Sequence, residues 1–183
     1  MKKFFMVLLS VVMVMGIGVG SSSAENSLSA GNIGVSVGMA TYNLGDFGDT
    51  YGSQTWIAGK LMIMDGMAAL AGLAFENHSG DADGTSIGIS IGARKYLNTD
   101  DFAPFLDGRL SYIIRDVETY VDEDLDIIDL SLGFGAEYFF NKQFSVEGSV
   151  GVGIGRGEDD KTDSEDVYIT TRTIGVKANF YFK

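Results

Sequence analysis

Glu76, His78 and Ser79 supply the three residue types of a hydrolytic relay, in which an acid orients an imidazole that takes a proton from a hydroxyl nucleophile. Their spacing argues against that chemistry. Neighbouring residues of a strand point to opposite faces, so a Ser and a His that meet on one wall need a gap of two, and His78 stands where a polar stretch begins. The acidic stretches "SGDADGT" and "EDDKTDSED" offer carboxylates to Ca²⁺, but neither has the ligand spacing of a defined calcium loop, and solvated, mutually repelling loops are the simpler reading. "GVGIGRG" has the glycines of a phosphate loop but sits inside an alternating segment, which rejects it as a nucleotide site. Cys is absent, so thiol catalysis, disulfides and attachment of lipid to cysteine are all excluded. Neither a metal nor a cofactor is expected, and no enzymatic activity.

A different set is more informative because of where its members fall. Lys60, Arg94, Asp107, Arg109, Glu137, Glu147 and Lys177 each interrupt a row of small residues, and each faces away from an apolar row on the same segment. Counted from the nearest short turn or from the C-terminus, all seven lie within a few residues of one level. If those segments stand side by side, four cations and three anions share one layer and can pair; the alternative is that they are merely solvated.

The elements that must position them have a period of two. "NIGVSVGMATY" sets Ile33, Val35, Val37 and Met39 against Gly34, Ser36, Gly38 and Ala40. In "QTWIAGKLMIM" Ile57, Leu61 and Ile63 oppose Trp56, Lys60 and Met62, which puts Trp56 on the polar side. Asp65-Gly66 is a strong hairpin signal and returns the chain into a strand with Ala69, Ala71, Leu73 and Phe75 on one face. Ile87, Ile89 and Ile91 oppose Gly88, Ser90, Gly92 and Arg94. The single Pro, Pro104, opens the next strand, where a missing donor costs least. Further alternating segments cover 127–140, 144–155 and about 167–182, the last of them placing Ile174, Val176, Ala178, Phe180 and Phe182 on one row. That makes about eight strands, joined by connections that are alternately long and short.

The first 24 residues have two lysines, an apolar run from Phe4 to Val14 and a small-residue end at Ala24, the pattern of a secretory signal peptide. Its removal takes the formal net charge from −12 to −14, too acidic for nucleic acid or anionic lipid surfaces. With 25 glycines, one proline and no uninterrupted apolar run of membrane-helix length after Ala24, a membrane-spanning mature chain must span as strands, and strands in lipid must close on themselves. Charges on one row and apolar residues on the other then mean polar inside, apolar outside. A soluble lipid-binding barrel has the reverse arrangement. The loop asymmetry fits an outer-membrane barrel with long outer loops and short inner turns.

The terminal "NFYF" and the stretch "PFLDGRLSY" resemble, respectively, the C-terminal aromatic signal and the "PYxGxGxGY" motif of the small OmpA/OmpX-type outer-membrane barrel families. Here Asp107 and Arg109 replace inner glycines, and Lys183 follows the aromatic that ends those chains. The resemblance implies that Phe180, Tyr181 and Phe182 are read by the outer-membrane assembly machinery after escort by periplasmic chaperones. It also implies a monomer whose partners are outer-membrane lipid and lipopolysaccharide, in the cell outer membrane once the signal peptide is cleaved. Arg156 and Arg172, expected on the outward row near the outer ends of the last two strands, could meet lipopolysaccharide phosphates or pair with loop carboxylates.

The expected protein is therefore a signal peptide (1–24) followed by an outer-membrane β-barrel domain (25–183). Its fold is all-β, an eight-stranded antiparallel up-and-down transmembrane β-barrel. Its lumen is plugged by side chains and its role is structural or surface-interacting. A narrow porin-like channel for small solutes and a lipid A-modifying enzyme are the alternatives.

Overall fold

The computed structural model describes residues 26–44, 50–78, 83–118, 123–159 and 164–183, so the expected signal peptide lies outside the described residues. Eight strands follow one another around a closed barrel: β1 (Ile33–Leu44), β2 (Thr50–Met64), β3 (Met67–His78), β4 (Asp83–Tyr96), β5 (Phe102–Glu118), β6 (Glu123–Asn141), β7 (Phe144–Asp159) and β8 (Ser164–Phe182). Every pair is antiparallel, and β1 meets β8 to complete the wall. Closure leaves no unpaired sheet edge.

Period-two alternation sets which side faces in. Ile87, Ile89 and Ile91 are 54, 54 and 59% exposed, while Ser86, Ser90 and Arg94 on the same strand are buried. Trp56 is buried as well, on the inner row where its position in β2 places it. The β2–β3 turn needs Gly66, whose φ of 68° lies in the left-handed region that a side chain disfavours.

Three features depart from the alternation read above. The acidic segment 115–126, which precedes the alternating segment that begins at 127 and has the composition of a loop, is largely strand: β5 runs to Glu118, β6 starts at Glu123, and Asp116 stands opposite Asp124. Ladder hydrogen bonds do not depend on side-chain charge, and a like-charge pair weakens a ladder by only about 0.2–1 kcal/mol, too little to end a hairpin already in register. Second, β8 holds one residue more than either neighbour. Lys177 pairs with Glu147 but Ile174 with Ser149, and Val176 pairs with Met39 but Ile174 with Ala40. A bulge of one residue inverts the alternation, so the outward row is continuous only from Val176 to Phe182, and above it Thr171, Ile169 and Val167 are the exposed residues.

Third, residues 26–32 form a strap across the end of the barrel that carries the short turns. The Asn26 amide donates to the carbonyls of Thr99 and Asp100, both at 2.9 Å, and the Ser27 hydroxyl donates to the Lys142 carbonyl. Ala30 N–H donates to the Asp65 carboxylate at 2.9 Å, and Gly66 N–H donates to the Leu28 carbonyl at 2.8 Å. One segment thus ties all three short turns together. Leu28, 0% exposed, points into an apolar floor with Met62, Tyr96, Phe105, Phe139 and Tyr181. Leu28→Asp is expected to release the strap without unfolding the barrel, because local opening requires loss of the strap contacts alone. Amide exchange at Gly31 and Met62, which bond across the strap, should quicken while the β5–β6 ladder stays protected. Equal loss of protection in both places would show that the strap is not a separable unit.

Candidate functional site

The structure brings the seven charged residues of the inner row together in one layer just above the apolar floor. Register explains the meeting: Arg94 is opposite Asp107 across β4–β5, Glu137 opposite Glu147 across β6–β7, and Glu147 opposite Lys177 across β7–β8. Lys60, on the far wall, spans the lumen. Its Nζ is 2.8 Å from Glu137 and 2.7 Å from Glu147, so it separates two carboxylates that would otherwise repel. The Arg94 guanidinium reaches both oxygens of Glu147, at 2.6 and 3.1 Å, and Asp107 at 3.1 Å. Such forked contacts are among the strongest and most directional ion pairs. Arg94 Cζ also lies over the Phe105 ring, 3.5 Å from the ring centre. Arg109 bonds Asp107 at 3.2 Å, and Lys177 is 3.9 Å from Glu147, the longest pair of the set.

Residues outside that set complete the layer. Glu137 also accepts from the Tyr96 hydroxyl at 2.6 Å, the Tyr181 hydroxyl at 2.7 Å, Asn179 at 3.1 Å and the Ser145 hydroxyl. All four were legible as inward by alternation; what the sequence lacks is any sign that their hydroxyl and amide groups reach the level of the charges. Asp129 is a further inward carboxylate, higher on β6, with the Thr170 hydroxyl donating to it at 2.6 Å. Gly153 is required opposite them, since a Cβ there would stand 2.7 Å from Asp129 Oδ2 and 2.6 Å from Thr170 Oγ1. With Asp129 counted, the buried charged side chains among the described residues are four cations and four anions. The formal charges of these described side chains sum to zero, and their ion pairs run across the lumen.

The terminal aromatics divide between the two faces. Phe180 and Phe182 are exposed on the outward row, whereas Tyr181 is buried, with its hydroxyl on Glu137. Phe180 belongs to an outward aromatic patch at the turn end, its ring 5.2 Å from Phe144, which is stacked 5.6 Å from Phe140. Arg156 is exposed on the outward row of β7, opposite Ile128 and Val167. The Arg172 backbone pairs with Gly151 and Tyr42; its side chain lies outside the described residues. Glu76 and His78 end β3, and the His78 side chain and Ser79 also lie outside the described residues. So do the centres of both acidic stretches, 79–82 and 160–163.

No family model matches the chain, and no curated protein matches it in sequence. Solved structures do match its fold. The attachment invasion locus protein Ail of Yersinia pestis is similar over 84% of this chain and 99% of its own, with 13% identity and a TM-score of 0.56. Neisserial surface protein A is similar over 82% of this chain and 96% of its own, with 14% identity and a TM-score of 0.58. The outer membrane protein OprG of Pseudomonas aeruginosa covers 86% and 99%, again with 14% identity and a TM-score of 0.58. The fold is that of the small eight-stranded barrels of the OmpA/OmpX-like type.

Proposed function

We propose that the chain is an integral protein of the cell outer membrane, a monomeric barrel whose lumen is plugged by the charged layer and whose role is structural or surface-interacting rather than enzymatic. One observation carries this reading: the molecule is inside out by the standard of a soluble protein. Thirty large apolar side chains are exposed among the described residues, while eight charged side chains are buried. Soluble monomers rarely expose contiguous apolar patches larger than a few hundred Å², and hydrocarbon is the solvent in which this distribution is favourable. Two structures of the same fold, an outer membrane protein and a surface protein, support the location. Arg156, exposed near the outer end of β7, is suited to a lipopolysaccharide phosphate, and the outward aromatic patch at the turn end suits the inner interface of the bilayer.

Planar-bilayer recording of the purified, folded protein tests the plug. An eight-stranded barrel has an interior just wide enough for its own side chains, and this one is crossed by Lys60 and Arg94, so porin-sized conductance steps should be absent. Stable large steps would replace the plugged reading with the solute channel.

Phe182 is proposed as part of the signal read by the assembly machinery, being exposed at the end of the closing strand opposite Ile33. Phe182→Asp should leave the protein in the periplasm, bound to chaperones or degraded. Wild-type amounts in the outer-membrane fraction, with the usual heat-modifiable gel mobility, would remove Phe182 from that role.

A further inference from the structure

The floor beneath the charged layer is joined to that layer residue by residue. On β2, β4, β5 and β6 the inward position next to a charge, on the side of the short turns, is a floor residue: Met62 beside Lys60, Tyr96 beside Arg94, Phe105 beside Asp107 and Phe139 beside Glu137, all four buried. The floor rings reach up into the layer. The Tyr96 and Tyr181 hydroxyls both donate to Glu137, at 2.6 and 2.7 Å, and the Lys60 ammonium donates to the Tyr181 hydroxyl at 3.2 Å. The Arg94 charge stands over the Phe105 ring, a cation–π contact.

The same rings hang on the three turns that the strap binds. Tyr96 N–H donates to the Gly66 carbonyl at 2.8 Å, Phe139 N–H to the Asp101 carbonyl at 2.8 Å and Tyr181 N–H to the Gln143 carbonyl at 2.9 Å. The strap fixes those turns in its own right, through Asp65 and Gly66, through Thr99 and Asp100, and through Lys142. Leu28 completes one buried cluster with Met62, Tyr96, Phe105, Phe139 and Tyr181. Protein interiors are packed as densely as organic crystals, so taking Leu28 out leaves a void that the rings close by moving, and a phenol that moves leaves Glu137. Undocking also opens the floor to solvent, where the phenol oxygens exchange a carboxylate for water.

We propose that the strap is a latch on the plug. Docked, it holds Tyr96 and Tyr181 against Glu137 and keeps the ion pairs closed; undocked, it lets the layer loosen from the side of the short turns. The inference rests on the plugged-lumen reading and adds to it a two-state element, a segment whose docking and the closed layer favour each other. Coupling of this kind is reciprocal. Whatever weakens the layer must loosen the strap, and whatever releases the strap must loosen the layer. Asp129 supplies the contrast: it is buried and charged, but it lies four inward positions from Glu137 and bonds to Thr170 rather than to a floor ring.

Amide exchange reads one direction of the coupling. In ¹⁵N-labelled protein folded in micelles, Glu137→Gln should quicken exchange severalfold at the Gly66 and Gly31 N–H groups, which bond to the Leu28 and Met62 carbonyls. Tyr96→Phe/Tyr181→Phe, which removes both hydroxyl ties and no charge, should do the same and stands in if Glu137→Gln does not fold. Asp129→Asn should leave both amides at the unaltered rate. Ionic current reads the other direction. Asn26→Ala/Leu28→Ser, which removes the strap's amide bonds and its buried anchor without adding charge, should raise the K⁺ and Cl⁻ leak across planar bilayers severalfold over the unaltered protein. Strap amides unmoved by the layer variants, or quickened equally by Asp129→Asn, would overturn the latch, as would an unchanged leak from the folded, strap-released variant. Large steps from the unaltered protein, by contrast, would overturn the plug itself and the latch with it.

Discussion

Replacing Glu137 by Ala is expected to lower the unfolding free energy by about 3–5 kcal/mol, the usual effect of breaking a buried ion pair. The size follows from what is stranded. Glu137 is the acceptor for Lys60, Tyr96, Asn179, Ser145 and Tyr181, so its loss leaves an ammonium and several polar groups short of a partner in a site that is 0% exposed. Lys60 retains Glu147 and Arg94 retains Asp107, which holds the effect below that of an isolated charge. Denaturant unfolding in detergent or lipid measures it. The double variant with Lys60→Ala should cost less than the sum of the singles, with a coupling of about 0.5–3 kcal/mol. Lys177→Ala should couple more weakly to Glu137, since the ammonium of Lys177 faces Glu147. Additivity for Glu137 with Lys60 would mean that lumen water screens the layer and that the ion pairs contribute little.

Ile89→Arg should cost about 2–4 kcal/mol in a bilayer if Ile89 lies near the midplane, because it places a charge in hydrocarbon. Its side chain is 54% exposed on the outward row, so in a soluble protein the same change would be close to neutral. A simple picture of a roomy polar lumen makes Ser90→Arg the milder substitution. The packing reverses that expectation. Even a single Cβ added at Gly72 would stand 2.8 Å from Ser90 Oγ, and a guanidinium at Ser90 would add a cation to the buried charges of the described residues, which balance at four and four. Ser90→Arg should therefore destabilise in any medium, whereas the cost of Ile89→Arg should depend on the lipid. Unfolding of both variants in bilayers and in detergent micelles separates the two causes. A cost for Ile89→Arg that does not depend on lipid would argue against a lipid-facing residue.

Alternation made the barrel legible because a strand's two faces meet different solvents here, and Ile87, Ile89 and Ile91 against Ser86, Ser90 and Arg94 record that difference residue by residue. Level-counting from the short turns gathered Lys60, Arg94, Asp107, Arg109, Glu137, Glu147 and Lys177 for the same geometric reason: a closed antiparallel wall fixes height by distance from the turn. Partner choice was not legible. It depends on how far each side chain reaches across the lumen, as Lys60 does to the opposite wall. The bulge in β8 escaped because Ile174, Val176 and Ala178 continue the apolar pattern through it, leaving no composition signal where the backbone shifts register. Asp129 escaped because it lies four inward positions from Glu137 and outside the level that the other charges share. The strap escaped for a plainer reason, since "NSLSAGN" has no periodicity and its partners are three distant turns.

That strap also sets an order of events. Asn26 binds carbonyls 73 and 74 residues away, and Ser27 binds one 115 residues away. Contacts of such long range reward the chain only after the intervening loops have closed. This segment, which precedes every strand in the chain, therefore docks last, when the turns at 65–66, 97–101 and 142–143 stand side by side. A barrel lacking any one of its hairpins would keep residues 26–32 undocked and within reach of a protease. Resistance to cleavage in this short segment thus reports completed assembly of the whole wall.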